Sequence, residues 1–152
     1  MTSSRHLLAV SILGALLSVA LTGIVVAGAL PNNLNVSATL VWGTKEQPKD
    51  KGLKRVNAKL QKKLHSSFKW EHYFEVSAKD FAVNDGKTQR VRISKACEIE
   101  VKRLTGDELQ LKLIGHGKVV VDKKHQLDKE DSVVLGGPDK NNSAWFVVLQ
   151  FK

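Results

Sequence analysis

The sequence predicts a mainly β domain with one helix: an antiparallel sandwich, or a partly open barrel, with an amphipathic basic helix packed on it. Two observations carry this expectation. Roughly six to eight short segments alternate apolar and polar residues, and turn residues interrupt them about every eight to twelve positions. One early stretch, LKRVNAKLQKKLHSSFKW at 53–70, instead places its apolar residues at helical spacing. Ahead of both stands a run without charge at 7–30, in a chain of 152 residues.

The leader comes first. Arg5 is the only formal charge before Lys45. A basic start, an apolar run and Ala27-Gly28-Ala29, a small-x-small signature, make an export signal with cleavage expected after Ala29. The alternative is a retained membrane anchor, because about 20 apolar residues span a bilayer and Arg5 would hold the N-terminus in the cytoplasm. Residues 1–29 are therefore read as a signal peptide or an anchor, and 30–152 as a single exported β-rich domain. That domain is expected in the periplasm or outside the cell, or tethered to the membrane by residues 7–30. No cysteine lies near the end of the run, which excludes a lipid-modified N-terminal cysteine, and the lone Cys97 cannot close an intramolecular disulfide. The domain must rely on its core, for which about 120 residues are enough.

Residues 34–43 alternate as a strand, with Val36, Ala38, Leu40 and Trp42 expected on one face. A polar linker at 44–52 carries Pro48 and Gly52, and Asp50 is the expected N-cap of the helix that follows. On that helix Leu53, Val56, Leu60 and Leu64 form a stripe for the sheet. Its end is expected between His65 and Phe68. Residues 73–77 return to period two, with Phe74 and Val76 on one face. Asn84-Asp85-Gly86 is a turn, since Asp-Gly tolerates left-handed backbone. Strands are then expected at 88–94, at 97–104 with Cys97, Ile99 and Val101 inward, at 109–113 and at 118–122. Turns at 105–107 and 115–117 separate them. A last hairpin joins 132–135 to 144–151 through GGPDKNNS. Its final strand is apolar on both faces around Val147, which predicts a central or covered position.

The charge is local. The chain carries +9, and residues 45–69 hold nine bases against two acids, a net +7. A field of one sign attracts anions. Lys54, Arg55, Lys59, Lys62 and Lys63 are displaced from the leucine stripe, so they are the candidate anionic-surface residues. Expected partners are an anionic membrane surface, an envelope polymer or an acidic protein; the bland alternative is an ordinary solvated face. Lysine outnumbers arginine eight to one in this cluster, which disfavours the bidentate recognition of phosphate that nucleic-acid binders use.

No catalytic signature stands out. Ser66, Ser67 and Ser132 lie in no nucleophile elbow. The five histidines have no metal-ligand spacing, and no cofactor motif occurs. The reading is therefore a non-enzymatic binding module of the cell envelope. A second reading is a small hydrolase or ligand-binding barrel with its site near Trp42, Trp70 and His72, where Trp42, Trp70 and Tyr73 would be the aromatic contacts. The leading reading of Trp70, Tyr73 and Phe74 themselves is a plug that fastens the helix to the sheet, with the aromatic contact as the sharper alternative. A third reading is a structural subunit of an envelope assembly.

Residues 53–151 combine a leucine-spaced helix, a Phe-x-x-x-x-Tyr junction from Phe68 to Tyr73, alternating strands, and Leu135-Gly136-Gly137-Pro138 before an apolar last strand. In this outline the chain resembles a loosely defined group of small exported bacterial β-rich domains. The resemblance implies a fold outline and a compartment, with the Gly-Gly pair as a turn; it implies no activity.

Overall fold

The structure, a computed structural model, describes residues 33–48, 52–127, 132–139 and 142–152. The leader, the Asp50 cap and the acidic stretch at 128–131 lie outside the described residues. Within them run β1 (Asn33–Thr44), β2 (Lys54–Arg55), α1 (Ala58–Ser67), β3 (His72–Asn84) and β4 (Thr88–Arg92). There follow β5 (Cys97–Arg103), β6 (Glu108–Gly115), β7 (Lys118–Gln126), β8 (Ser132–Pro138) and β9 (Ser143–Phe151).

All strand pairs are antiparallel. They form a five-stranded sheet in the order β2-β3-β1-β9-β8 and a four-stranded sheet in the order β4-β5-β6-β7. The sheets do not close into a barrel, so of the two expected architectures the sandwich is the one found. The main core lies between them. Val36, Val147 and Leu149 from one sheet meet Ile99, Val101, Leu111 and Leu113 from the other, and none is more than 1% exposed. A second core covers the outer face of the five-stranded sheet. There α1 lays Leu64 onto Val41, Tyr73, Phe146 and Val148, with Leu60 and Phe68 at its margin. The domain thus has three layers: helix, sheet, sheet.

The two-sided apolar pattern of the last strand follows from this layering. β9 lies between β1 and β8. Val147, Leu149 and Phe151 enter the main core, while Phe146 and Val148 enter the helix core. Period two along one strand supplies both. The turns also fall where expected: Gly86, Gly106 and Gly117 all have positive φ, and Lys87 donates its amide to the Asn84 carbonyl at 3.1 Å.

Several expectations are corrected. The helix does not begin near Leu53. Lys54 and Arg55 pair with Glu75 and Phe74 as a two-residue strand. Val56 prolongs that contact by donating to the Tyr73 carbonyl at 3.2 Å. The N-cap is Asn57, whose side chain accepts from the Leu60 amide at 2.9 Å. A short amide at this position satisfies a free donor of the first turn, so the chain turns helical only after it.

Phe74 and Val76 do not share a burial state. The β1–β3 register shifts between Leu40 and Val41, leaving Val76 as an extra residue on β3; it is 52% exposed while Phe74 is 3% exposed. The same device occurs on β7. The β6–β7 register shifts between Leu113 and Ile114, and the extra residue, Val120, is 49% exposed. A bulge places two residues against one and re-aims a side chain, which explains both outward valines.

The Gly-Gly pair is not a turn. Gly136 and Gly137 lie within β8 opposite Phe146 and Trp145. A Cβ on Gly136 would come within 2.7 Å of the Phe146 ring, and one on Gly137 within 3.0 Å of the Trp145 ring. The missing side chains let two aromatic rings approach the β8 backbone closely.

Cys97 is 5% exposed. Burial pushes its thiol up from the ordinary value near 9 to about 11, and the neighbouring Glu98 charge adds to the effect. The folded chain therefore keeps this proton at a pH where the unfolded chain has released it. The associated stability is complete below about pH 9 and disappears as pH rises through about 11. Iodoacetamide at pH 8 is expected to label Cys97 slowly in the folded protein and rapidly in urea. Fast labelling of the folded protein would contradict this burial.

Candidate functional site

The five candidate bases do not form one helical face. Lys54 and Arg55 stand on β2, ahead of the helix. Their groups are engaged: Lys54 forms an ion pair with Glu75 at 2.9 Å, and Arg55 donates to the Gln47 side chain at 2.9 Å while its guanidinium lies 5.4 Å from the centre of the Phe74 ring. Only Lys59, Lys62 and Lys63 belong to α1. Lys59 and Lys62 are exposed and Lys63 is half-buried. Lys63 reaches the far side of a groove, where it donates to the Ser132 hydroxyl of β8 at 2.6 Å.

That groove has a volume of about 790 Å³. One wall is α1 along its entire length, from the cap residue Asn57 through Lys59 and Lys63 to Ser67. At a rise of about 1.5 Å per residue, a helix of 10 residues makes this wall about 15 Å long. The other wall is built from β8 and β9. Val148, Gln150 and Lys152 alternate along β9 and its extension. Because Val148 faces the helix core, period two brings Gln150 and Lys152 to the same side. Ser132 lies directly opposite Gln150 in the β8–β9 ladder. Leu60, Ser66 and the largely buried Phe151 complete the lining. Among the described residues, three lysines and no carboxylate side chain line this space.

The groove continues a polar row across the sheet. Gln150 is paired on its other side with Ser37 of β1, and Ser37 with Asp80 of β3. Ser37 donates to the Asp80 carboxylate, and Lys152 donates to the Ser37 hydroxyl at 3.5 Å. The helix-facing side of the sheet therefore changes from apolar at Val148 to polar one rung later. This change marks where the helix stops covering the sheet.

The aromatic candidates are placed otherwise. Trp70 and Tyr73 are 8% and 1% exposed and belong to the helix core. Trp42 is half-buried, with its ring centre 6.0 Å from that of Phe74. Tyr73 is the ladder partner of Gly43, next to Trp42 in the chain. Neighbouring strand residues project to opposite faces, so the sheet separates Trp42 from Trp70 and Tyr73. His72 is half-buried, 6.5 Å from the Phe74 ring. The structure does not gather these residues into one recess; Trp70 and Tyr73 fasten the helix to the sheet.

Sequence reasoning found Lys59 and Lys63 but not Lys152, Ser132, Gln150 or Ser67 as their companions. These residues meet only because β9 runs between β1 and β8, and no local pattern states that order. Among the described residues no group of three or more His, Cys, Asp and Glu side chains is placed to hold a metal ion. Among them also no helix is long and apolar enough to cross a membrane.

Fold and groove together define a three-layer α+β sandwich with a lysine-lined recess beside its helix. Comparisons with protein-family models, curated proteins and solved structures found no match.

Proposed function

We propose that the chain is an exported, non-enzymatic binding module of the cell envelope, which engages an anionic partner through the exposed lysines of α1 and the groove beside them. The observation that supports this reading most is the lining of the groove, with Lys59, Lys63 and Lys152 and, among the described residues, no carboxylate side chain. Three lysines around one recess create a positive potential that a negative group relieves, and only Lys152 is linked to an acid among the described residues, through Ser37 to Asp80. The net +7 of residues 45–69 supports it from the sequence side. Export itself rests on the uncharged leader.

Replacing Lys59, Lys62 and Lys63 together with glutamate reverses three charges on α1. These side chains are exposed or half-buried, so the fold is expected to survive, with an unchanged far-UV circular dichroism spectrum. Salt-sensitive association with anionic envelope fractions is expected to disappear, because each base near an anionic surface contributes about 1 kcal/mol. Co-sedimentation at low and high salt reads the outcome. Undiminished association of the reversed variant would remove the basic-surface reading.

A further inference from the structure

We propose that the groove between α1 and the β8–β9 edge seats a linear acidic glycan, a chain of hydroxyl-rich units bearing carboxylates. This inference rests on the anionic-partner reading above and specifies its ligand.

Shape is the first argument. The recess follows α1 from its cap to its last residue, about 15 Å. An extended strand fills such a trough and a single small anion does not. A flat membrane would meet the outward Lys62, but it cannot reach Lys63, which is half-buried and held on Ser132 across the groove.

Chemistry is the second. The ammonium groups of Lys59, Lys63 and Lys152 suit single negative charges spaced along a chain. Between them stand hydroxyls and amides: Asn57, Ser67, Ser132 and Gln150. Each of these groups both donates and accepts, as sugar hydroxyls do. Among the described residues the recess contains no arginine, and the only aromatic residue lining it, Phe151, is 4% exposed. It therefore lacks both the guanidinium fork for phosphate and the stacking platform that single-stranded nucleic acid uses. A peptide added as a strand would need the backbone edge of β8, yet β8 contributes only Ser132 to the lining.

Titration of the protein with galacturonate oligomers of increasing length tests the proposal, with neutral oligosaccharides as controls. Affinity is expected to be negligible for the monomer, to rise with length, and to level off once the chain spans the helix. Lys63→Gln and Lys152→Gln should each weaken binding of the long oligomer about tenfold or more, the scale of a hydrogen bond to a charged group. Lys95→Gln, at an exposed position between β4 and β5 and away from α1 and the groove, should leave it unchanged. Thermal midpoints of the three variants check that all remain folded. Equal losses from all three variants would overturn the groove as the seat while leaving a diffuse basic surface. Binding to phosphatidylglycerol vesicles without binding to any oligomer would overturn the glycan and keep the anionic reading. Failure to bind either would overturn both.

Discussion

Phe146→Ala is expected to destabilise the domain by about 3–5 kcal/mol, the cost of emptying an aromatic site in a packed core. Phe146 is 2% exposed. Its ring centre lies 4.5 Å from that of Phe68 and 6.1 Å from that of Tyr73. It is therefore the contact through which the residues closing α1 and those opening β3 are held on β9. Its ring also covers Gly43 and Gly136, where a side chain would have collided with it. Alanine removes this ring from all four contacts, and glycine backbone cannot grow to fill the gap. Domains of this size are stable by only about 5–15 kcal/mol in total, so the loss is a large share. Urea unfolding followed by tryptophan fluorescence measures it. A change below about 1 kcal/mol would mean that the helix is held by something other than this ring.

Gly43→Val is expected to cost about 3 kcal/mol or more, from the opposite cause. A Cβ built on Gly43 would sit 2.8 Å from the Phe146 ring and 2.8 Å from the Trp70 ring. Both rings are buried, so neither can swing into solvent, and overpacking a filled core forces rotamers and backbone to shift. Gly86→Ala is the informative contrast. Gly86 has φ +65° in its turn with nothing within 4 Å of the added carbon, so only backbone strain of about 1–2 kcal/mol opposes the change. Melting temperatures should rank the Gly43 variant well below the Gly86 variant. The reverse order would show that the rings are not pressed against β1.

How much of this was legible in the sequence depends on the range of the interaction. Period two and tight-turn glycines are local, and they located β1 with Val36, Ala38 and Leu40 on one face, β5 with Cys97, Ile99 and Val101 inward, and β9 as a covered strand. The helix start was misplaced because Leu53 and Val56 fit two patterns. They continue the helical stripe, but they equally flank a two-residue strand, and the capping amide of Asn57 decided between them. The bulges at Val76 and Val120 left no local mark, since each depends on the register of a partner strand. Gly136 and Gly137 showed that something needed the absence of a side chain; whether that was a turn or an overlying ring was settled only by the pairing of β8 with β9. The candidate site divides in the same way. The lysine-rich helix was visible, but its opposing wall comes from residues about 70 to 90 positions later, and strand order alone brings them there.

Because neither sheet closes, β7 borders β6 on one side and no other strand among the described residues on the other. A bare border of this kind invites copies of the same chain to add on and grow into a filament, and Val119 and Val120 stand exposed along it. Lys118 and Lys123 share that border and are exposed as well, and Lys124 beside them is paired with Glu108 at 3.2 Å; such charged side chains discourage edge-to-edge pairing with further molecules. The positive charge of this protein thus has two separate employments, one in furnishing a recess and another in guarding a margin.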